Sequence, residues 1–322
     1  MNVYQRHDVI IQRQKVLVKL KQARDAGRKI FFQDETFCNA NHTRSFVWQH
    51  EDPNAAANNE LINHIEWRGG LDVSCGAGKR LIINHIGSEE GFVEGAQQVF
   101  PALSGTGDYH NEMNATHFEE WMVETVLPKL PPNLTVCIGN TTYHNQLTPE
   151  TRKPASKDRK AAVQDWLRLR RVPFDEKDTL VKLRGKVKLL NVEKKYTLDE
   201  KVAKHNLEKE KDIELVRLPI DHSVLNPIEH IWALIKNSVA RENTTFKIAD
   251  VKRLVEEAIA HVTPKDWENC VKHSRKVEDA FRRIDGVDAP EIDPVIITLS
   301  NGNESSEEET EFLSETDDDD DK

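Results

Sequence analysis

The sequence predicts an α/β domain built on a mixed β-sheet with covered faces. The segment KIFFQDET predicts a short buried strand that ends in Asp34-Glu35. Three later apolar segments separated by polar turns indicate successive antiparallel strands: SFVWQ (45–49), LDVSCGA (71–77) and RLIINHIG (80–87). An amphipathic helix, NATHFEEWMVETVLPKL, then leads to a buried strand, LTVCIG, and a further strand, IELVRLPI (213–220), follows later. Antiparallel strands followed by alternating helices and strands are typical of such a sheet.

The remaining elements are predicted to be helical. Apolar residues at helical spacing predict a helix over residues 8–28 that closes on Gly27. Asn114 or Thr116 is the expected cap of the helix before LTVCIG. The segment NPIEHIWALIKNSVARE predicts a helix with Pro227 near its first turn. Two more helices are expected over IADVKRLVEEAIAHV and PKDWENCVKHSRKVEDAFRRI.

Charge and composition divide the chain into three parts. Residues 1–27 are expected to form an N-terminal helix or linker, residues 28–285 the main domain, and residues 286–322 an acidic disordered tail. The net charge of −10 comes from residues 304–322, because residues 1–303 contain 44 acidic and 44 basic side chains. The final DDDDK also matches a protease-cleavage tag.

Composition also bounds the compartment. With 38% hydrophobic and 31% charged residues, the chain has the make-up of a soluble protein, and it contains no apolar run of about 18 residues. The N-terminus lacks the apolar core of a signal peptide, which favours the nucleus or cytoplasm over secretion. The four cysteines are widely spaced and form no C-x-x-C pair, so they predict neither a zinc ribbon nor a redox motif.

Three element ends are candidates for chemistry. Asp34 is predicted to close the strand KIFFQD, Gly139 closes LTVCIG, and Glu229 lies in the first turn of a helix that follows IELVRLPI. Because ligands gather beyond the carboxyl ends of strands in open α/β sheets, Asp34 and Glu229 could converge. Convergent carboxylates are the ligands that Mg²⁺ or Mn²⁺ prefers. The alternative is an ordinary strand-end Asp and a Glu that pairs with the helix dipole.

Several longer segments between about residue 28 and about residue 285 form a specific combination: FFQDETFCNANHTRSFVW, RLIINHIGSEEGFVEGA, GNTTYHN and LPIDHSVLNPIEHIWALIKNSVARENTTFK. Together they resemble the catalytic domain of the Tc1/mariner-type (IS630-like) DDE transposases. The resemblance implies an RNase H-like fold, a Mg²⁺- or Mn²⁺-dependent site, and cutting and joining of transposon DNA ends. Family members usually carry helix-turn-helix domains before this region. Only about one helix precedes Asp34 here, so sequence-specific DNA recognition is expected to be missing or supplied by another chain.

The resemblance assigns site residues position by position. The first family Asp matches Asp34, and the Glu of the N-P-I-E motif matches Glu229. The second family Asp falls on Gly139, which has no side chain to bind metal. Asn140 could offer only a neutral oxygen, and Glu35 should face away from Asp34 because neighbouring strand residues point to opposite faces. Two-metal assembly is therefore expected to be weak or absent.

A basic insertion over residues 151–190 precedes the last of these positions. It is weakly similar to SAP-type DNA-binding modules and is expected to fold as a helix, an extended link and a second helix. The side chains expected to contact phosphates are Lys157, Arg159, Lys160, Arg168, Arg170 and Arg171. The alternative is a solvated basic face that packs on the main sheet through Trp166 and Leu167. His144 and His222 are expected near the site as hydrogen-bonding partners rather than metal ligands.

Three functions remain open from the sequence. The first is a transposase-derived protein impaired in cleavage that acts as a nucleic-acid or protein-binding module. The second is an active Mg²⁺-dependent DDE transposase or endonuclease, and the third is a degenerate transposon copy without a selected function. DNA is the expected partner. A homodimer and a protein that contacts the acidic tail are the other candidate assemblies.

Overall fold

The computed structural model describes residues 6–43, 76–102 and 114–287. The predicted strand at 45–49, most of the one at 71–77, and the acidic tail lie outside these residues. The described part of the chain contains a sheet of six strands: β1 (Lys29–Asn39), β2 (Arg80–Ser88), β3 (Gly91–Phe92), β4 (Gln98–Pro101), β5 (Leu134–Ile138) and β6 (Ile213–Arg217).

The sheet is mixed and has β1 at its centre. Its order is β3-β2-β1-β5-β6, and β4 also pairs with β2. β2 runs antiparallel to β1, whereas β5 is parallel to β1 and β6 is parallel to β5. Helices cover both faces. The chain therefore has the RNase H-like mixed sheet flanked by helices that the sequence predicted.

Eight α-helices occur within the described residues: α1 (His7–Asp25), α2 (Ala115–Glu120), α3 (Lys160–Leu169), α4 (Leu180–Leu189), α5 (Thr197–Lys209), α6 (Ile228–Glu242), α7 (Ile248–His261) and α8 (Pro264–Ile284). The Asn114 side chain caps α2 by accepting from the His117 amide, as one of the two predicted caps. A π-helical segment, Trp121–Val126, continues α2. No described helix is long and apolar enough to cross a bilayer.

Two hydrophobic cores lie on opposite faces of the sheet, because strand side chains alternate between faces. One core joins β1 and β5 to α1, α6, α7 and α8, and includes Leu20, Phe32, Cys137, Trp232, Val255 and Trp267. The other joins the same strands to α2, its π-helical continuation and α5, and includes Phe31, Phe118, Trp121, Val136 and Val202. The central sheet is thus packed on both sides.

Helix α1 is fastened to the C-terminal end of the domain by buried charge pairs. Arg13 donates to both carboxylate oxygens of Asp285 at 2.5 and 2.6 Å, and both side chains are almost fully buried. Arg24 makes a second two-pronged pair with Glu278. Such paired guanidinium–carboxylate contacts fix orientation as well as adding energy.

The basic insertion has a small core of its own. Trp166 and Leu167 on α3 pack with Leu183 and Val187 on α4, and the indole nitrogen of Trp166 donates to the Arg152 carbonyl at 2.8 Å. The predicted order of helix, link and helix is confirmed. The alternative in which Trp166 and Leu167 pack on the main sheet is wrong, because these apolar side chains are buried between the two insertion helices.

A substitution at Gly87 tests the packing of β2 against α8. A Cβ added at Gly87 would lie 2.3 Å from the Trp267 ring, and Trp267 is completely buried. Gly87→Ala should therefore destabilise the protein by about 1–3 kcal/mol, as overpacking does. Chemical denaturation measures this change.

Gly185→Ala is the matched control. Gly185 lies inside α4, where an added Cβ meets no atom within 4 Å. Alanine should stabilise that helix by roughly 0.5–1 kcal/mol, because glycine loses more backbone entropy on folding. Equal effects of the two substitutions would contradict the close approach of Trp267 to β2.

Candidate active site

Asp34 lies inside β1, not at its end. The prediction that Asp34 closes the strand is wrong, because β1 continues to Asn39 through antiparallel pairing with β2. The parallel ladder with β5, however, stops at the pair Phe32↔Cys137. Asp34 therefore stands where β1 and β5 part, at the edge where a parallel sheet opens toward solvent.

Gly139 occupies the matching position on the neighbouring strand. It lies two residues beyond Cys137, as Asp34 lies two residues beyond Phe32, so both point to the face covered by α6. A Cβ added at Gly139 would lie 3.9 Å from Oδ1 of Asp34 and 3.6 Å from Cε1 of His144, which are ordinary contact distances. A side chain at position 139 would thus fit and would face Asp34.

Neither predicted substitute for a second carboxylate points toward Asp34. The side-chain oxygen of Asn140 accepts a hydrogen bond from Asn145 at 2.6 Å. Glu35 is buried on the opposite face of β1, as its place in the strand predicted. Its carboxylate accepts from Gln33 Nε2 at 2.9 Å and Tyr143 Oη at 3.1 Å, and it contacts His144 Nε2 at 3.2 Å.

Helix α6 brings Glu229 close to Asp34. Residues on either side of Glu229 make hydrogen bonds to β1. Asn226, just before the helix, donates to the Gln33 carbonyl at 3.2 Å. One turn beyond Glu229, the indole nitrogen of Trp232 donates to Asp34 Oδ2 at 3.3 Å. Trp232 is buried, as predicted for a core residue, but its bond to Asp34 was missed. The three-residue spacing of Asn226, Glu229 and Trp232 was the available signal, since it places them on one face.

Electrostatics show that the two acids share one environment. Burial raises the pKa of Asp34 well above its usual range, and the charges of Glu229 and Glu35 raise it further. Burial also raises the pKa of Glu229, while the nearby Lys236 ammonium lowers it. Lys236 lies on the same face of α6 with Nζ 5.0 Å from the Phe37 ring centroid, and burial lowers its pKa. The site thus holds two desolvated carboxylates and one lysine.

The two histidines predicted near the site both make hydrogen bonds, but only His144 contacts Gly139, whereas His222 contacts Arg13 on α1 and Phe281 on α8. His144 Nδ1 lies 2.8 Å from the Gly139 carbonyl oxygen. Burial alone would raise the pKa of Glu35, but the charge and hydrogen bond of His144, with the bonds from Gln33 and Tyr143, lower it overall. His222 contacts the Ile220 carbonyl and Arg13. Among the residues that the structure describes, neither histidine belongs to a group of three or more side chains that could hold a metal ion.

The donor set does not fit a two-metal centre. Asp34 and Glu229 interact electrostatically, and Gly139 beside Asp34 has no side chain to add a third ligand. Within the described residues, no three or more His, Cys, Asp and Glu side chains are grouped so that they could hold a metal ion. Two ions about 3.5–4 Å apart need a bridging set of oxygen ligands, which these side chains do not supply.

The six candidate DNA contacts divide into two groups. Arg168 pairs with Asp165 and Glu176, Arg170 stacks 3.7 Å from the Trp166 ring centroid, and Lys160 donates to the Glu176 carbonyl. Across the described parts of the chain, no hydrogen bond or ion pair of the side chain is seen for the other three, which are exposed: Lys157, Arg159 and Arg171. The insertion as a whole contains 13 basic and 5 acidic residues. These three side chains share the insertion's unpaired positive charge with Arg152, Lys177 and Lys188, which are also exposed and for which no side-chain ion pair is seen among the described residues.

Comparison with known proteins gives a likeness of fold. No protein-family model and no curated protein matches the sequence significantly. A Mos1 transposase paired-end complex with the left transposon end has a TM-score of 0.48 and 12% identity, over 87% of this chain and 63% of that chain. The Mos1 mariner paired-end complex with Mn has a TM-score of 0.49, 12% identity and the same coverage. The Mos1 mariner catalytic domain has a TM-score of 0.42 and 11% identity, over 89% of this chain and 96% of that domain.

A neutral replacement of Asp34 tests its electrostatic environment. Because folding raises the pKa of Asp34 above 3.8, the ionised form is disfavoured in the folded protein. That cost is absent below the unfolded pKa and grows as pH rises through the folded pKa. Asp34→Asn should therefore melt a few degrees higher than the parent protein at about pH 8, and the difference should shrink toward pH 4. In domains of 150–250 residues, a change of 1 kcal/mol in the free energy of unfolding shifts the melting temperature by roughly 2–4 °C.

Asp279→Asn is the control, because Asp279 is exposed on α8. It should change the melting temperature little at either pH. An Asp34→Asn variant that is less stable at high pH than at low pH, relative to the parent, would contradict the raised pKa.

Proposed function

We propose that this chain is a transposase-derived protein that binds DNA and is impaired in metal-dependent DNA cleavage. The observation that carries the proposal is the register of β1 and β5. Gly139 lies two residues beyond the last pair of that ladder, and a Cβ added there would lie 3.9 Å from Asp34 Oδ1, which supports the hypothesis that a third carboxylate is missing at this position. The likeness in fold to Mos1, solved with Mn and with Mg, agrees with this origin.

The chemistry of the site supports impaired cleavage. Two-metal enzymes activate water with one ion and stabilise the leaving oxygen with the other, and carboxylates hold both ions in place. Glycine contributes neither charge nor oxygen atoms. Asp34 and Glu229 remain, along with the Lys236 ammonium that already interacts with both. One cation could be attracted to such a pair, but a fixed pair of ions lacks its third anchor.

DNA binding is assigned to the insertion. Its surface contains many more basic than acidic side chains, and Lys157, Arg159 and Arg171 are exposed near the start and the end of α3. Contacts from such side chains to phosphates bind DNA without reading its sequence, and the affinity falls steeply with salt. Arg168 and Arg170 serve the insertion itself through their ion pairs and ring contact.

An active enzyme is the second candidate, favoured by the retained pair of Asp34 and Glu229. A plasmid-nicking assay with Mg²⁺ or Mn²⁺ separates the two functions. Metal-dependent nicking by the parent protein that Asp34→Ala abolishes would establish the active enzyme. Absence of nicking together with DNA binding supports the first proposal.

Restoring a carboxylate at position 139 tests the assignment of the site. In chelator, Gly139→Asp should be slightly less stable than the parent chain, because a third carboxylate repels Asp34 and Glu229. With millimolar Mn²⁺ or Mg²⁺ it should be stabilised, by about 2.7 kcal/mol at a metal concentration of 100 Kd. The parent chain should respond little. Melting temperatures with and without metal measure both effects.

Gly139→Asn is the matched control, because it adds a side chain of the same shape without the charge. It should resemble the parent in its response to metal. Equal metal responses of the parent, Asn and Asp proteins would mean that residue 139 is not the missing ligand position.

Removing three positive charges tests the DNA-binding surface. Replacing Lys157, Arg159 and Arg171 by Gln should weaken binding to duplex DNA of any sequence. The slope of log affinity against log salt should fall by roughly 1 for each phosphate contact that is lost. Fluorescence anisotropy over a range of salt concentrations measures the affinity and the slope.

The control removes the same charge from other helices. Lys15, Lys272 and Lys276 are exposed on α1 and α8, and their replacement by Gln should leave the salt slope nearly unchanged. If this control weakens binding as much as the insertion variant does, binding depends on overall charge and the insertion has no special role.

A further inference from the structure

Two residues of the recognised motifs have no role in the site as described so far. Glu35 follows Asp34 in the D-E-T segment, and His144 ends the segment Gly139–His144. Their side chains are only 2% and 0% exposed and contact each other across the gap between β1 and the turn after β5. Because both are buried and polar, their hydrogen bonds must be satisfied inside the protein.

Glu35 is held firmly in place. One carboxylate oxygen accepts from Gln33 Nε2 and contacts His144 Nε2 at 3.2 Å, and the other accepts from the Tyr143 hydroxyl at 3.1 Å. Gln33 is itself fixed by a bond to Asn84 on β2. The carboxylate is therefore a rigid point on the central strand.

His144 links Glu35 to the backbone of residue 139. A carbonyl oxygen can only accept, so the 2.8 Å contact means that His144 Nδ1 donates to the Gly139 carbonyl. The ring also packs against Phe118, with centroids 4.1 Å apart. The backbone of Gly139 lies beyond the last ladder pair with β1. The imidazole therefore replaces the ladder as the link between residue 139 and the central strand.

We infer that Glu35 and His144 are positioning residues that hold residue 139 beside Asp34, so that a carboxylate at 139 needs no rearrangement of the turn. This inference rests on the proposed function, because it concerns the same site. The shared role of Glu35 and His144 is to hold the backbone of residue 139 in place. This role differs from binding a metal ion and from filling the hydrophobic core. Supporting groups of this kind typically change metal affinity by roughly 10–100-fold when they are replaced.

Two substitutions at His144 separate positioning from packing. Asparagine can place an N–H where Nδ1 lies, which retains the bond to the Gly139 carbonyl and loses the contact with Glu35. Glutamine can reach Glu35 from the position of Nε2 but loses the bond to Gly139. Both remove the ring, so they lose similar packing against Phe118.

The first experiment measures Mn²⁺ binding to Gly139→Asp, alone and combined with His144→Asn or His144→Gln, by electron paramagnetic resonance of free Mn²⁺. The combination with His144→Gln should bind at least about tenfold more weakly than Gly139→Asp alone. The combination with His144→Asn should bind more tightly than the one with His144→Gln, but more weakly than Gly139→Asp alone, because it keeps the bond to the Gly139 carbonyl and loses the contact with Glu35. If Gly139→Asp alone binds Mn²⁺, equal Mn²⁺ affinities of the two combinations would overturn the inference.

A second experiment is independent of metal and uses the native Gly139. Hydrogen–deuterium exchange over residues 139–146 should become faster in His144→Gln than in His144→Asn, because only glutamine releases the Gly139 carbonyl. Equal exchange would overturn the inference even if Gly139→Asp binds Mn²⁺. If Gly139→Asp fails to bind Mn²⁺ while the exchange difference is present, the proposed function fails and the positioning role stands.

Discussion

The arrangement of this domain depends on the central position of β1. β1 pairs antiparallel with β2 along its whole second half, but it pairs parallel with β5 only along its first half. From residue 33 onward, no described strand pairs with the edge of β1 that faces β5. The Asp34 side chain lies on the face of the sheet that α6 covers. The Glu35 side chain lies on the opposite face, where it bonds to Gln33 and Tyr143. The neighbouring residues Asp34 and Glu35 thus lie in two different environments, because successive side chains of a β-strand point to opposite faces.

The start of α6 depends on the same strand. Asn226 donates to the carbonyl of Gln33 and Trp232 to the carboxylate of Asp34, so the helix is fixed to β1 immediately before and at the acid. The backbone of Glu229 lies between these two contacts and is therefore held close to β1. The N-P-I-E-x-x-W segment therefore acts as one unit, in which the flanking residues determine where the Glu lies.

The sequence predicted the order of the elements, the mixed sheet, the capping Asn114 and the meeting of Asp34 with Glu229 through motif order. It did not predict that β1 runs on to Asn39, because the polar residues after Asp34 resemble a turn and are held in the strand only by pairing with β2. The ion pairs of Arg168 also escaped prediction, since their partner Glu176 lies in the link between two helices. Pairings of this kind depend on the packed structure and leave no local pattern in the sequence.

The same contacts explain why the pair of acids, Asp34 and Glu229, is not by itself a sign of catalysis. Asp34 and Glu229 repel each other and are desolvated, which costs folding free energy. A third carboxylate would increase that cost, whereas glycine at 139 does not, and Lys236 offsets part of the remaining charge. The bonds from Asn226 and Trp232 keep the pair together without an ion. The geometry of the site can therefore persist for reasons of stability alone, and only its response to metal separates a structural remnant from an active centre.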